Sequence, residues 1–465
     1  MKNTFTALAL AACTLSAGLA GCASGPGPAA PAVTAPTAWV LAPGDTTPDW
    51  AGLTDPQLAA LQARALEANR DIALAAQRWQ QARLLVAQSA LRWTPSASLS
   101  ANASRPVETQ SSTRNIDIGG VTVPVTTSTG WSRSYGASAG VVYELDLWDR
   151  LAQATAAQRA QAEAARADIA AARLSIRSQV AEAYWSLAAL RAQRPLAEAQ
   201  VELTRETLAL TRQRVLEGKL LPIEVDKIAV NLQAAESRLA DLTADVQLQR
   251  HLLALLLDEP LPGPLPEATL PRGEPPRWRL AEPATVLAQR PDVQRARLCV
   301  DAALARLRVS EADRYPRLSF SASVSTGGTR ASDWLSQPLA SFAANLVVPM
   351  IDWQRLALQR DGARTELDIA ALTLRDTLQK ALADIEAQRI EADRAAQQLQ
   401  ANAGRLREAT ENERLARLRY EVGAIARADW LQTRSALLDA EQGRIRLQLT
   451  QWLRQSALFK SLGGA

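Results

Sequence analysis

The sequence predicts a mixed fold: internally duplicated long α-helical hairpins with four transmembrane β-strands per chain. Three observations carry that expectation. The chain repeats itself across two halves, and each half holds two segments of polar/apolar alternation. Each half then runs through one long helical pattern to a glycine, from Arg150 to Gly218 and from Arg355 to Gly423.

The duplication fixes the frame. Asn69-Arg70-Asp71-Ile72 falls on Arg290-Pro291-Asp292-Val293, and at the same offset Pro95 falls on Pro316. Further on the offset shortens, with Trp148 on Trp353 and Gly218 on Gly423, so the first half carries an insertion, placed between Arg105 and Gly130. That stretch of Ser, Thr, Asn, Gly and Val reads as a long hairpin loop. Repeats this long are duplicated domains rather than solenoid units. The expected organisation is a signal at 1–21, a first repeat at 22–258, a linker at 259–283 and a second repeat at 284–465.

Each element follows in order. A helix of roughly 35 residues (Asp55 to Arg92, and Glu282 to Arg314) runs to a proline, which pushes the preceding residue out of the α region. Two alternating segments come next: Ser96–Ala101 and Tyr135–Tyr143 in the first half, Arg317–Val324 and Phe342–Val348 in the second. Small residues on one face and apolar ones on the other suit a membrane barrel with a polar lumen. Asp146, Asp149 and Asp352 stand where carboxylates accept from the free amides of the next helix. Those helices would span about 100 Å each at about 1.5 Å per residue, with a kink expected at Pro195. Gly218 and Gly423 turn the chain, and the returning helices keep a heptad apolar spacing: Val225, Leu232, Leu239, Val246 and Leu253, then Leu431, Leu438, Ile445, Trp452 and Phe459. That spacing is coiled-coil packing between antiparallel neighbours. Between the halves, Glu259 to Pro283 is too rich in proline for helix and reads as a strap.

The N-terminus gives the address. Lys2, an apolar run to Leu15, and Leu19-Ala20-Gly21 before Cys22 form a bacterial lipoprotein signal. Cleavage before Cys22 and lipidation of its thiol would tether the mature chain to a membrane; an ordinary secretory signal abutting a cysteine is the competing explanation. Ala23 in place of an acidic residue favours the outer membrane.

Composition excludes other classes. Lys and Arg (52) interleave with Asp and Glu (48) for a net charge of +4, so no nucleic-acid stripe is present. Beyond the signal and Cys22 the only cysteine is Cys299, and the only histidine is His251, so neither a disulfide framework nor a thiolate metal site can form within one chain. No nucleotide loop or nucleophile–base pair appears, which argues for a protein that is not an enzyme and uses no cofactor beyond lipid on Cys22. After the signal no apolar run reaches the length a membrane-spanning helix needs, so any crossing must be a β-barrel.

Four strands leave two open edges, which lipid does not tolerate. Dimer, trimer and tetramer would supply 8, 12 and 16 strands, and only the larger two leave a lumen wide enough for solutes.

The order of lipobox, helix, Arg290-Pro291-Asp292-Val293, strand pair, Tyr143-Glu144-Leu145-Asp146-Leu147-Trp148, long helix and glycine hairpin, doubled over nearly the whole mature chain, resembles the outer-membrane factors of tripartite efflux systems. These are the TolC and OprM proteins, in the NodT-like lipoprotein branch. The resemblance implies a homotrimer with a 12-stranded β-barrel in the outer membrane and a 12-helix α-barrel in the periplasm. It further implies a periplasmic adaptor and an inner-membrane RND-type transporter as partners, with contacts to outer-membrane lipids.

In such proteins the second hairpin tip forms a periplasmic gate. A tyrosine three residues before the turn glycine and an aspartate six after it map to Tyr420 and Asp429. Arg427 is the nearest arginine, since the family's position holds Ile425; Glu224 replaces an aspartate in the first hairpin, and Gln432 replaces a second one. Each charge also reads as a solvated helix-end residue. Trp148 and Trp353, at equivalent strand-to-helix junctions, read either as interfacial aromatic anchors or as packing beneath the barrel. The implied function is a passive duct for drugs, amphiphiles or metal ions. The exit of a type I protein secretion system, or a structural coiled-coil lipoprotein without a channel, are the alternatives.

Overall fold

A computed structural model of the protein describes residues 53, 55–104, 111–128, 133–261, 263, 270–271, 273, 275, 278, 282–330, 332, 338–349 and 351–464. The expected signal and Cys22 lie outside the described residues, as does most of the proline-rich stretch expected as a strap.

The expected opening helix is broken in both halves. In the first, α1 (Pro56–Ala68) is capped by Asp55, whose carboxylate accepts from the Leu58 amide at 2.7 Å. It stops at Asn69, whose ψ is 131°, and α2 (Arg70–Ala90) then starts. Asn69 makes the break by capping: its Oδ1 accepts from the Asp71 amide at 2.9 Å, and its Nδ2 donates to the Leu256 carbonyl at 3.0 Å. In the second half α5 (Pro283–Gln289) and α6 (Pro291–Ala312) are separated by Arg290, with ψ 127°. There Pro291 excludes the α conformation at the residue before it.

Among the described residues the four expected sheet strands form, and two further strands stand beside them. β1 (Ser96–Ser104), β4 (Ser134–Leu145), β5 (Arg317–Gly328) and β6 (Leu339–Val347) make one antiparallel sheet in the order β1-β4-β5-β6. The insertion expected as a loop contains a separate hairpin, β2 (Ser111–Ile118) with β3 (Val121–Ser128). Its turn is Gly119-Gly120 at φ +67° and +87°, a two-residue geometry that matches strand twist and that glycine adopts without strain.

After the sheet strands come the hairpins α3 (Arg150–Leu216) with α4 (Ile223–Leu256), and α7 (Trp353–Glu421) with α8 (Arg427–Ser461). Helix α3 runs unbroken through Pro195. Asp146 caps it as expected, its Oδ2 accepting from the Ala152 amide at 2.9 Å. Asp149, at φ +58°, and Asp352 contribute carbonyls instead, to the Gln153 and Leu356 amides. The Asp352 carboxylate pairs with Arg355 at 2.8 Å, one turn into its own helix.

The chain divides into two compact units, and each draws on both sequence repeats. One unit holds Gln81–Ala162 with Cys299–Ala371, and so contains the sheet. The other holds the described part of Ala32–Gln80 with Glu163–Leu298 and Leu372–Ala465. Its core gathers Leu58, Tyr184, Trp185, Leu253, Trp278, Trp452 and Phe459. Trp185 and Trp452 meet at 5.6 Å between ring centroids, and Tyr184 donates its hydroxyl to Asp55 at 2.9 Å. The apolar stripe of α8 is buried throughout, whereas that of α4 is half-buried until Leu253. No described helix is long and apolar enough to cross a membrane.

Candidate functional site

The register of the four-stranded sheet sorts its side chains by chemistry. Partners across antiparallel strands share a face. Leu99 faces Ala139, Ala139 faces Val324 and Val324 faces Ala340, so these belong with Val141, Phe320, Phe342 and Leu346 on one face. That face is apolar and open to the surroundings, with Leu99 85% and Phe342 75% exposed. Tyr143 and Tyr135 stand on it near its two ends.

The opposite face is a surface of hydroxyls. Ser100 pairs with Ser138, Ser104 with Ser134 and Ser323 with Ser341, their hydroxyls bonded at 2.8, 2.6 and 2.8 Å. Ser96, Ser98, Asn102, Ser319, Ser321, Ser325 and Asn345 lie on it too, with Glu144 and Arg317 at its helix-side end; Val142, Leu339 and Val347 interrupt it. Alternation of this kind suits a wall with lipid on one side and water on the other. The outer edges of β1 and β6 have no strand beside them among the described residues.

At the helix-side end of the sheet, Trp148 donates Nε1 to the Pro316 carbonyl at 2.8 Å and stacks on Tyr315 with centroids 4.8 Å apart. Trp353 is 53% exposed, and the Arg314 guanidinium carbon sits 4.1 Å from its ring centroid. The two tryptophans, equivalent in sequence, thus make different contacts with one short segment.

Both hairpin tips close in the same way. Gly218 and Gly423 sit at φ +71° and +74°. Lys219 donates to the Arg214 carbonyl at 2.8 Å and Ala424 to that of Arg419 at 2.7 Å, each a left-handed glycine cap. Lys219 and Gln213 hold the Glu217 carboxyl below its usual range by hydrogen bonding.

Of the expected gate residues, Tyr420 stacks on Trp430 with centroids 5.3 Å apart and planes 8° from parallel. Trp430 in turn donates Nε1 to Glu413 at 3.1 Å. Arg427 pairs with Glu206 of α3, joining the two hairpins of one chain. Asp429 lies in the first turn of α8, where the helix dipole favours an anion. It lines a polar cleft of about 620 Å³ with Gln200, Thr204, Asn231, Arg238 and Gln442. Glu224 pairs with Lys227 on its own helix at 2.7 Å. Glu206 and Trp430 were not singled out in the sequence, although an aromatic ten positions after Tyr420 was a visible signal.

Arg290 of the Arg-Pro-Asp-Val motif ties the second repeat together. It forks onto Asp292 at 2.8 Å, reaches Asp384 at 3.4 Å and donates to the Ser461 carbonyl near the end of α8. Burial pushes the Asp292 carboxyl up, but the hydrogen bond and charge of Arg290 outweigh it and leave the group below its usual range.

The family described as outer membrane efflux protein matches residues 61–258 and 283–464. The chain is 28% identical over 462 residues to the pyoverdine export outer membrane protein OpmQ of Pseudomonas aeruginosa, covering 98% of this chain and 96% of that protein. Among solved structures, the outer-membrane channel OprN is similar with a TM-score of 0.79 at 23% identity, over 96% of this chain and 99% of that one. The open state of the MtrE outer membrane channel of Neisseria gonorrhoeae gives 0.78 at 22%, over 95% and 98%.

Proposed function

The chain belongs to the outer membrane efflux protein family and is an outer-membrane efflux channel, and from that premise we propose that it acts as the passive, trimeric outlet of a tripartite pump. One observation carries the proposal: a four-stranded sheet with an apolar face, a hydroxyl face and two edges that no described strand covers. Lipid does not tolerate open edges, and three copies that join β1 of one to β6 of the next give 12 strands around an aqueous lumen.

In this reading the apolar face meets lipid, and Tyr135 and Tyr143 mark its two water boundaries. They are eight positions apart, about 26 Å along the strand, which at a barrel tilt of about 40° is about 20 Å of membrane height, most of an outer-membrane apolar band of about 25 Å. Trp148 and Trp353 then serve as packing at the junction. Lipid on Cys22 holds each protomer at the membrane before closure. The hairpin tips meet a periplasmic adaptor, and Tyr420, Arg427 and Asp429 set the resting state of the gate. An RND-type inner-membrane transporter supplies energy, and the chain does no chemistry of its own. Likeness to a pyoverdine export protein supports small molecules over secreted proteins as cargo.

Purified protein in planar bilayers should conduct ions with no nucleotide or other energy source. Deleting its gene in a pump-competent strain should sensitise cells to amphiphilic dyes. Silent bilayers and unchanged susceptibility together would refute the proposal.

A further inference from the structure

The four sheet strands carry only two charged side chains, Glu144 and Arg317, both on the hydroxyl face and both at its helix-side end. Neither is a free charge. Arg150 pairs with Glu144 at 2.7 Å and lies 3.9 Å from Asp313, and Arg317 pairs with Asp313 at 3.2 Å. Two carboxylates and two guanidiniums therefore cancel within one protomer, and threefold repetition multiplies zero.

Beyond that collar the hydroxyl face holds no ionisable group along the strands. Its hydroxyls are turned on one another, with Ser100 on Ser138, Ser104 on Ser134 and Ser323 on Ser341, while Ser96 donates to the Val142 carbonyl at 3.3 Å. Such a wall can lend both donors and acceptors to a passing solute without holding a fixed charge against it. Selective ion pores differ in kind: they place rings of like charge or carbonyl dipoles in the path.

We infer that the barrel wall is a charge-neutral hydroxyl sleeve, which passes polar, multiply hydrogen-bonding molecules of either charge and is no filter for metal cations. This rests on the channel proposed above. Selection by charge is left to the helical part, where Asp429 stands exposed near the second hairpin tip. Hydroxyl pairs that satisfy each other bind a solute weakly, so transit through the sleeve is not slowed by capture.

The test is the reversal potential of single channels in a potassium chloride gradient, recorded in an Asp429→Asn background so that the tip carboxylate does not contribute. The permeability ratio of potassium to chloride should lie within about twofold of one. Adding Ser100→Asp, or separately Ser323→Asp on another strand, should raise it at least about fivefold by placing a ring of carboxylates on the wall. A ratio that neither added aspartate moves would overturn the inference, as would a strong cation or anion preference in the Asp429→Asn channel that persists when Glu206→Gln and Arg427→Gln are added. A correctly inserted protein that never conducts would overturn the channel reading, and this inference with it.

Discussion

Breaking the Arg427–Glu206 pair should open the resting gate, and its size follows from the geometry. The two side chains are 49% and 36% exposed, so water and salt screen the pair, and one copy is worth about 0.5–1 kcal/mol. Three copies that break together on opening sum to about 1.5–3 kcal/mol. That corresponds to a roughly ten- to hundredfold rise in the ratio of open to closed channels for Arg427→Ala. Glu206→Gln should give the same rise, and the double variant should add little, because both single changes remove one interaction. The readout is open-state occupancy in planar bilayers at low salt. In about 1 M salt, where the Debye length is about 3 Å, wild type should approach the variants. Unchanged occupancy in both single variants, or full additivity in the double, would refute the assignment of this pair to the gate.

Arg290→Met should lower the thermal stability of the detergent-extracted protein by about 2–3 kcal/mol, since it strands the buried Ser461 carbonyl and two carboxylates. Arg290→Lys should restore only part of this, because an ammonium cannot fork. The pH dependence has a definite sign. The Asp292 carboxyl is depressed in the fold, so its contribution is complete above about pH 4 and is lost as pH falls through the folded value. The melting difference between wild type and Arg290→Met should narrow in acid; a gap that stays constant to about pH 3 would count against the pair. Cys22→Ser should reduce delivery to the outer-membrane fraction while leaving the conductance of inserted channels unchanged. Altered conductance with normal delivery would reverse the role given to the lipid.

Much of the fold was legible because duplication and periodicity are properties of local sequence. Alternation located all four sheet strands, and the glycines at 218 and 423 located both tips. The break at Arg290 was signalled by Pro291, yet the break at Asn69 depends on the carbonyl of Leu256, far along the chain, and has no local sign beyond a capping side chain. The β2–β3 hairpin was readable from Gly119-Gly120 between Ile118 and Val121, but its Ser and Thr content masked it as loop. The partners at the second hairpin tip were the least legible. Glu206 meets Arg427 only because α3 and α8 lie side by side in a particular rotation, and one sequence does not state the relative phase of two helices. For the same reason Trp148 and Trp353, identical by repeat position, differ in their contacts: both meet the segment after α6, and the pseudo-symmetry stops there.

In the proposed assembly three copies close the sheet edges into one barrel. Native mass spectrometry of the full-length protein released from detergent micelles tests it most directly. Particles of three chains, persisting under conditions that strip lipid, are the predicted result. A population of single chains, or a uniform count other than three, would contradict it.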